Sequence, residues 1–526
     1  MAPVVLIQVP NCLSFPAIVL GAFASGLTAT LVSPALTSDE ISWILQNARP
    51  KVIITANSCL KAMKEAVAKQ EDKAYFADIP IFTVEVANET YPLRSSSASS
   101  SSSSERDWTD LLTLASPLVR PVDYSDETSR YRTAVILWSS GTSGRSKGVL
   151  LSHHALNFSV GSIWHDADYF QGRQQQWLGY VPFYHVFGLC NILLLSMCIG
   201  ATVHVMQSFH LETVLQAVPK RQITYFHMAP PVAVMLAKAA VVEKYKDAFG
   251  SVVAGVTGGA PLGHEVVVEV YKRLGFRVRL GYGLSEACST TLQRGVGEDE
   301  MHAHAGDSGK PHWGVQVMIA AKDEAYDSDT TRPGFVGDEG EILIRCPSLL
   351  TAYLPIGGLN PGAHPDMSIS LEALTKDGWF RTGDVGILCA EGRLRITDRL
   401  KEMIKVRAFQ VAPAELEAIL CSSDDVADAG VVGVYDQSEA TEWPRAFVVP
   451  RKQGKDENEL RDLATQLAKL VEGRTTKYKW LQGGLVFVDA IPKSPSGKIL
   501  RRILRDGQVK GHEVKLYERK KRDTKL

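Results

Sequence analysis

No CxxC pair and no short Cys/His cluster occurs in the 526 residues, so the ligand spacing that a zinc site needs is missing. The eight cysteines stand apart at positions 12, 59, 190, 198, 288, 346, 389 and 421 and read as reduced, mostly buried thiols of a reducing compartment. A charge excess is missing as well. The formal net charge of -1 offers no field for steering onto nucleic acid or an acidic membrane, so any phosphate binding has to be local. From Met1 to Ser38 there is no charged residue, yet the stretch has no basic leader and carries Pro10 and Pro16, which argues against a secretory signal. The apolar run Val186 to Val203 is interrupted by Asn191, Ser196 and Gly200 and reads as a buried helix entering a strand, not a membrane span. What is present is the balance of a globular protein, 45% apolar and 22% charged, over a length that calls for at least two units.

The chain opens as strand Val4 to Val9, helix Phe15 to Ser25, strand Thr28 to Val32, helix Ser38 to Asn47 and strand Val52 to Thr55. Alternation at this spacing implies an α/β fold with a parallel sheet covered on both faces. The serine-dominated residues 94–104 cannot bury apolar area and are expected to form a disordered surface insertion; Leu354 to Lys376 reads as an exposed loop. After Asp398 the pattern restarts with short strands, the amphipathic helix Pro413 to Leu420, strand Gly430 to Val434 and a long helix near Glu457 to Glu472. We therefore expect a large domain over 1–398, with parallel or mixed sheets and flanking helices, and a small mobile α+β domain over 399–526.

The sharpest chemical signal is Ser139-Ser140-Gly141-Thr142-Ser143-Gly144-Arg145-Ser146-Lys147-Gly148, entered from the apolar strand Ala134 to Leu137. Glycines let the backbone approach an anion, hydroxyls donate to phosphate oxygens and a lysine neutralises charge. A flexible Ser/Gly surface loop would share the composition, but here a strand feeds the loop and a helix is expected to follow. It is not a GxxxxGK[ST] loop, because Gly148 follows Lys147.

The loop resembles the ATP loop of the AMP-binding superfamily of adenylate-forming enzymes, with Ser143 and Ser146 where Thr and Pro are more usual. Four further motifs stand in the family's order: Gly258-Gly259-Ala260-Pro261; Gly281-Tyr282-Gly283-Leu284-Ser285-Glu286; Trp379-Phe380-Arg381-Thr382-Gly383-Asp384; and Asp398 to Lys405. The segment Pro492 to Lys498 closes the set. The resemblance spans Val4 to Arg502 and is nearest to the 4-coumarate:CoA ligase branch.

The resemblance implies roles, several with a physical reason of their own. Gly259 and Ala260 belong to the adenine-wall turn; Tyr282 offers a flat face to adenine, and Gly281 and Gly283 beside it allow close backbone approach. Ser285 would bond the α-phosphate, and Glu286 would carry Mg²⁺; a helix-capping Ser/Glu pair is the plainer reading. Asp384 and Arg399 would hold the ribose, although an exposed Asp in a turn is common. Lys498, in a Pro- and Gly-shaped loop, would be the movable catalytic lysine, the alternative being a solvated basic turn before Arg501 and Arg502. Lys401 sits at the hinge; Lys405 and Gln410 match residues at the phosphate or acyl end. Ala408 stands where the family has glycine, beside the CoA channel, which puts CoA use in more doubt than adenylation.

For the acid, the resemblance outlines a pocket from Phe183, Phe187, Phe226, Gly258, Gly283 and Cys288. His185 would bracket the carboxylate or gate the pocket, against the ordinary reading of a structural histidine. The phenylalanines suggest an aromatic or a medium to long apolar acyl group. The expected activity is ATP-dependent formation of an acyl-AMP with release of pyrophosphate, then transfer to CoA, in a specialised metabolic pathway. Two alternatives stay open: loading of a carrier protein, and a truncated, non-catalytic nucleotide-binding relative, since family members usually begin several dozen residues earlier. The tail Thr524-Lys525-Leu526 resembles a peroxisomal address that an import receptor would read, the alternatives being a solvated basic tail in the cytoplasm or a nuclear signal.

Overall fold

The computed structural model describes residues 2–86, 106–113, 120–139, 146–167, 170, 172–260, 262–320, 336–355, 373–399, 402–406, 409–436, 441–452, 454, 456–494 and 497–517. Outside them lie the serine-rich segment 94–104, loop residues 140–145, Pro261, most of the 354–376 stretch, Lys401, Ala408 and the C-terminal tail. Arg399, Lys405 and Gln410 are described by their backbone alone.

The opening strand Val4–Gln8 is buried at every position, as the uninterrupted VVLIQ run requires of a strand covered on both faces. It pairs in parallel with Thr28–Leu31 on one side and Val52–Ala56 on the other. Ile81–Val84, Arg106–Asp107 and Thr133–Ser139 extend the parallel part; Lys147–Ser152 and Ala352–Tyr353 finish the eight-stranded sheet with antiparallel pairs. The helix Ser38–Ala48 begins at a capping box in which Thr37 and Glu40 satisfy each other's backbone donors.

A seven-stranded sheet follows. Its parallel centre is Thr202–Val205, Gln176–Gly179, Tyr225–Met228, Ala254–Thr257 and Arg277–Leu284, with Cys288–Leu292 and Lys310–Pro311 antiparallel at the edge. Buried Asn11 fastens the two sheets together: its amide donates to the Gly179 and Val181 carbonyls at 2.9 and 2.8 Å and accepts from the Phe183 N–H at 2.8 Å. The expected buried helix after Val186 includes a π-helical stretch, Leu189–Leu194, before the strand Thr202–Val205. A third, antiparallel sheet contains Gln316–Ile319, Glu339–Arg345, Phe380–Leu388 and Leu394–Arg399.

Past this sheet the chain builds a second core around Val411, Leu416, Val431, Ala446, Leu467 and Leu485. It comprises the hairpin Ile404–Val406/Phe409–Val411, a four-stranded sheet and the helices Pro413–Cys421 and Glu457–Arg474. The fold is thus a large α/β domain of mixed sheets with a small C-terminal α+β domain.

One expectation is corrected. The Ser/Gly-rich loop is followed by a strand, not a helix. Lys147–Ser152 is buried from Gly148 onward and pairs antiparallel with Thr133–Ser139. The helix His153–His165 starts only at the Ser152 cap. The described residues on either side of the loop are thus paired strands, and the helix begins six residues beyond Lys147.

Candidate active site

The base of the loop sets Ser139 directly opposite Lys147 in the pairing of those two strands. The Lys147 ammonium lies 5.2 Å from the centroid of the Tyr353 ring. Tyr353 comes from the edge strand Ala352–Tyr353, paired to Val149. Its phenol donates to Glu286 Oε1 at 3.1 Å, and the Glu286 carbonyl accepts from the Leu350 N–H at 2.7 Å. Burial and the neighbouring Glu286 carboxylate push the Tyr353 phenol up, so it stays protonated and acts as donor. A lysine and a carboxylate far apart in sequence thus flank one tyrosine, which the sequence reading did not single out. The carboxylate, free to share an ion with phosphate oxygens, fits the usual magnesium arrangement in nucleotide sites.

Ser285 and Glu286 occupy the turn after the strand Arg277–Leu284, where the Ala287 N–H closes back on the Leu284 carbonyl. Gly283 has to be glycine, since a Cβ there would lie 2.4 Å from the Cys288 carbonyl oxygen. Tyr282 is packed among Val315, Ile342 and Ile344, and its phenol donates to Asp384 Oδ2 at 2.5 Å. Asp384 is 5% exposed and lies in the strand Phe380–Leu388, not in an exposed turn. In the register of the third sheet Asp384 pairs with Arg399. Lys405 and Gln410 likewise pair across the small hairpin.

Lys498 ends a tight hairpin. Ser494 N–H donates to the Lys498 carbonyl at 2.8 Å, Lys498 N–H donates to Ser494 Oγ at 3.2 Å, and Gly497 turns the chain at φ +84°. The hairpin is docked on the large domain, with Gly497 so near Pro231 that a Cβ would sit 2.9 Å from Pro231 Cδ. Lys493, Ser494 and Gly497 line a cleft of about 1530 Å³ together with Trp138, Ser146, His185, Phe187, Pro231 and Gly258.

His185 accepts at Nδ1 from the Phe187 N–H at 3.3 Å, which leaves its proton on Nε2. Burial holds its pKa down at about 4, so the imidazole is neutral near pH 7. Behind the cleft lies a cavity of about 70 Å³, sharing Phe187 and Gly258 with it. Gly259, Gly281, Tyr282, Gly283 and Cys288 line this inner cavity, as do Phe170, Tyr225 and His227. Phe183 and Phe226 do not. Phe183 packs against Phe15 with ring centroids 5.7 Å apart, and Phe226 stacks with Phe276 at 5.8 Å. Strand alternation explains Phe226: Tyr225 and His227 take the cavity face of Tyr225–Met228, and Phe226 takes the other.

Two family models match the chain: the AMP-binding enzyme model over residues 2–354 and the AMP-binding enzyme C-terminal domain over 415–498. The chain belongs to the AMP-binding enzyme family. Among curated relatives, 4-coumarate–CoA ligase-like 2 of Arabidopsis thaliana is 31% identical over 511 residues, covering 95% of this chain and 81% of the relative. A putative acyl-coenzyme A synthetase of Emericella nidulans is 30% identical over 96% of this chain and 85% of its own length. The peroxisomal OPC-8:0-CoA ligase 1 of Arabidopsis thaliana is 30% identical over 95% and 83%. In fold, ATP-bound MatB from Rhodopseudomonas palustris superposes with a TM-score of 0.78 at 21% identity, over 96% of this chain and 89% of the other. The o-succinylbenzoate CoA synthetase of Bacillus subtilis with its acyl-adenylate gives 0.72 at 24%, over 96% and 88%. The enzyme class read from the motifs, an AMP-forming acyl-CoA synthetase, stands. Among the described residues no helix is long and apolar enough to cross a membrane.

Proposed function

We propose that the chain is an ATP-dependent acid:CoA ligase for a compact aromatic or apolar carboxylic acid, with residues 399–526 as a lid that turns about Lys401. The observation that carries the reading is a convergence on one cleft. The end of the Ser/Gly loop at Ser146, the docked lid hairpin of Lys498 and the mouth of the inner cavity at Phe187 and Gly258 all meet there.

In the first half-reaction a carboxylate oxygen attacks the α-phosphorus of ATP, the acyl–phosphate bond forms and pyrophosphate leaves. Both reactants are anions, so rate comes from alignment and from neutralising charge. Lys147 and Lys498 supply fixed positive charge. His185, with its proton on Nε2, donates a hydrogen bond to the carboxylate at the cavity mouth without carrying charge. Ser139 to Gly144 and Ser285 hold phosphate oxygens, Gly259, Ala260, Gly281 and Tyr282 border adenine, and Asp384 and Arg399 take the ribose hydroxyls. Glu286 would hold Mg²⁺, which when bound offsets phosphate charge. In the second half-reaction the CoA thiol attacks the acyl carbon and AMP leaves; Lys405 and Gln410 come to the site as the lid turns, and Ala408 borders the channel. The small inner cavity favours short or ring-sized acyl groups over long chains. Thr524-Lys525-Leu526 supports delivery to peroxisomes, in keeping with one relative's name.

Lys498→Ala tests the site. Pyrophosphate release should fall by at least ~100-fold while ATP binding persists. Unchanged release would remove Lys498 from the chemistry and undercut the reading.

A further inference from the structure

The inner cavity is apolar on one side, with Phe170 and Phe187, but polar on another, where Ser289, His312, His227 and Thr257 line it. None of these four reaches the outer cleft, so they face the part of the acid remote from its carboxylate. Three of them pose a hydrogen-bonding problem whose answer constrains the ligand.

Asp166 Oδ2 accepts from Arg294 Nη2 at 2.7 Å, from the Trp313 N–H at 3.0 Å, and contacts His312 Nδ1 at 2.9 Å. Burial by itself would raise the Asp166 pKa; the bonds from His312 and Arg294 outweigh it and hold the carboxyl well below the usual range. Asp166 is therefore an ionised acceptor, and His312 Nδ1 has to bear a proton. Burial lowers the His312 pKa despite that carboxylate, so the imidazole is neutral and its Nε2 is a lone-pair acceptor. Ser289 Oγ stands 3.1 Å from Nε2. The only proton available to that contact is the serine's own, which leaves Ser289 Oγ with lone pairs and no hydrogen to offer the cavity. Close by in the fold, Thr257 Oγ1 and His227 Nδ1 are buried with no hydrogen-bond partner among the described residues. These residues are 1% and 2% exposed, and their strands are adjacent and parallel. Unpartnered buried polar atoms are costly unless a ligand satisfies them.

We propose that Ser289, oriented by His312 and Asp166, is a specificity-determining acceptor that selects acids carrying a hydrogen-bond donor, a hydroxyl or amino group, at the end remote from the carboxylate. Thr257 and His227 complete the polar wall around that group. The same order of residues can activate a serine nucleophile. Here Ser289 lies outside the cleft where the carboxyl group meets ATP, so the relay fixes the direction of a hydrogen bond instead. The inference rests on the acid-ligase reading and deepens it.

The test uses the full chain with ATP and Mg²⁺ and measures kcat/KM for pyrophosphate release on matched acids. One set is 4-hydroxybenzoate, 4-methoxybenzoate and benzoate; the other is 6-hydroxyhexanoate, 6-methoxyhexanoate and hexanoate. The hydroxy acid of at least one set should exceed its methyl ether and its unsubstituted partner by about 10- to 100-fold. Ser289→Ala should bring that ratio down to within about three-fold by losing rate on the hydroxy acid alone, and Ser289→Thr should restore it. His312→Phe frees the serine proton and should raise the methyl ether relative to the hydroxy acid. Pyrophosphate release with no preference for the donor, or an equal loss on all acids in Ser289→Ala, would overturn the inference while leaving the ligase reading intact. No release from any acid by protein that binds ATP would overturn the ligase reading, and this inference with it.

Discussion

Tyr353 links the two charges that the motifs supply. Its ring lies beside Lys147 and its hydroxyl donates to Glu286, so it sets both the lysine's approach and the carboxylate's rotamer. Tyr353→Phe keeps the ring and removes the donor. We expect a fall in kcat of about 3- to 10-fold, a raised Mg²⁺ requirement, and a stability loss near ~1 kcal/mol, read by titrating Mg²⁺ in the pyrophosphate assay and by thermal unfolding. Lys147, Glu286 and Asp384 could be picked out as candidates from the sequence because each stands inside an ordered motif. Tyr353 was not, because its role comes from pairing with Val149, some two hundred residues earlier, and no local pattern encodes such a contact. Phe183 and Phe226 lie off the cavity for a related reason: aromatic character marks burial without saying which way the ring points, from the turn after Gln176–Gly179 for Phe183 and from the far face of Tyr225–Met228 for Phe226. His312, Asp166 and Ser289 left no trace as separate residues, since they meet only through tertiary packing.

At the scale of elements, the strand and helix boundaries of the first fifty-six residues were readable to within a residue or two, because short, almost wholly buried apolar strands alternate there with two helices, the second opened by a capping box. The strand after the Ser/Gly loop was not anticipated. Gly148-Val149-Leu150-Leu151 is a short apolar run running directly into helix-forming residues, and periodicity does not separate strand from helix over such a length. The Lys498 hairpin makes the sharper prediction. Gly497 holds a left-handed conformation against Pro231, so Gly497→Ala adds backbone strain of about 1–2 kcal/mol and a contact that pushes the hairpin off the cleft. Pyrophosphate release should drop about 10-fold or more, with the midpoint of thermal unfolding little changed. A large loss of stability without a catalytic defect would mean that the hairpin serves folding and not closure. Gly309 is the contrasting case. Its φ is +82° and a Cβ would lie 1.9 Å from the Leu292 carbonyl carbon, so Gly309→Ala should destabilise the second sheet by about 3 kcal/mol or more.

For the whole molecule, several neutral histidines buried around the site tie stability to pH. His185 is held at about 4 by burial, His227 at about 3 by burial and then by the Arg279 charge, and His312 is also lowered, chiefly by burial. Their unfolded pKa is about 6.5. Between these values the unfolded chain binds more protons than the folded one, so their contribution is complete above ~6.5 and is lost as pH falls toward the folded pKa values. The slope approaches ~1.4 kcal/mol per pH unit for each histidine. The unfolding midpoint should therefore fall steeply below pH 6.5, and less steeply in His227→Phe; equal slopes would show that His227 is not held neutral in the fold.

The central claim is that one cleft joins ATP, an acid in the inner cavity and a thiol delivered as the lid turns. The measurement that tests it most directly is the parallel appearance of pyrophosphate and acyl-CoA from ATP, Mg²⁺, CoA and a panel of compact acids. The account predicts both products, in equal amounts, from the same acid. Pyrophosphate and acyl-AMP without thioester would reassign the acceptor to a carrier protein, and neither product from folded, ATP-binding protein would contradict the account.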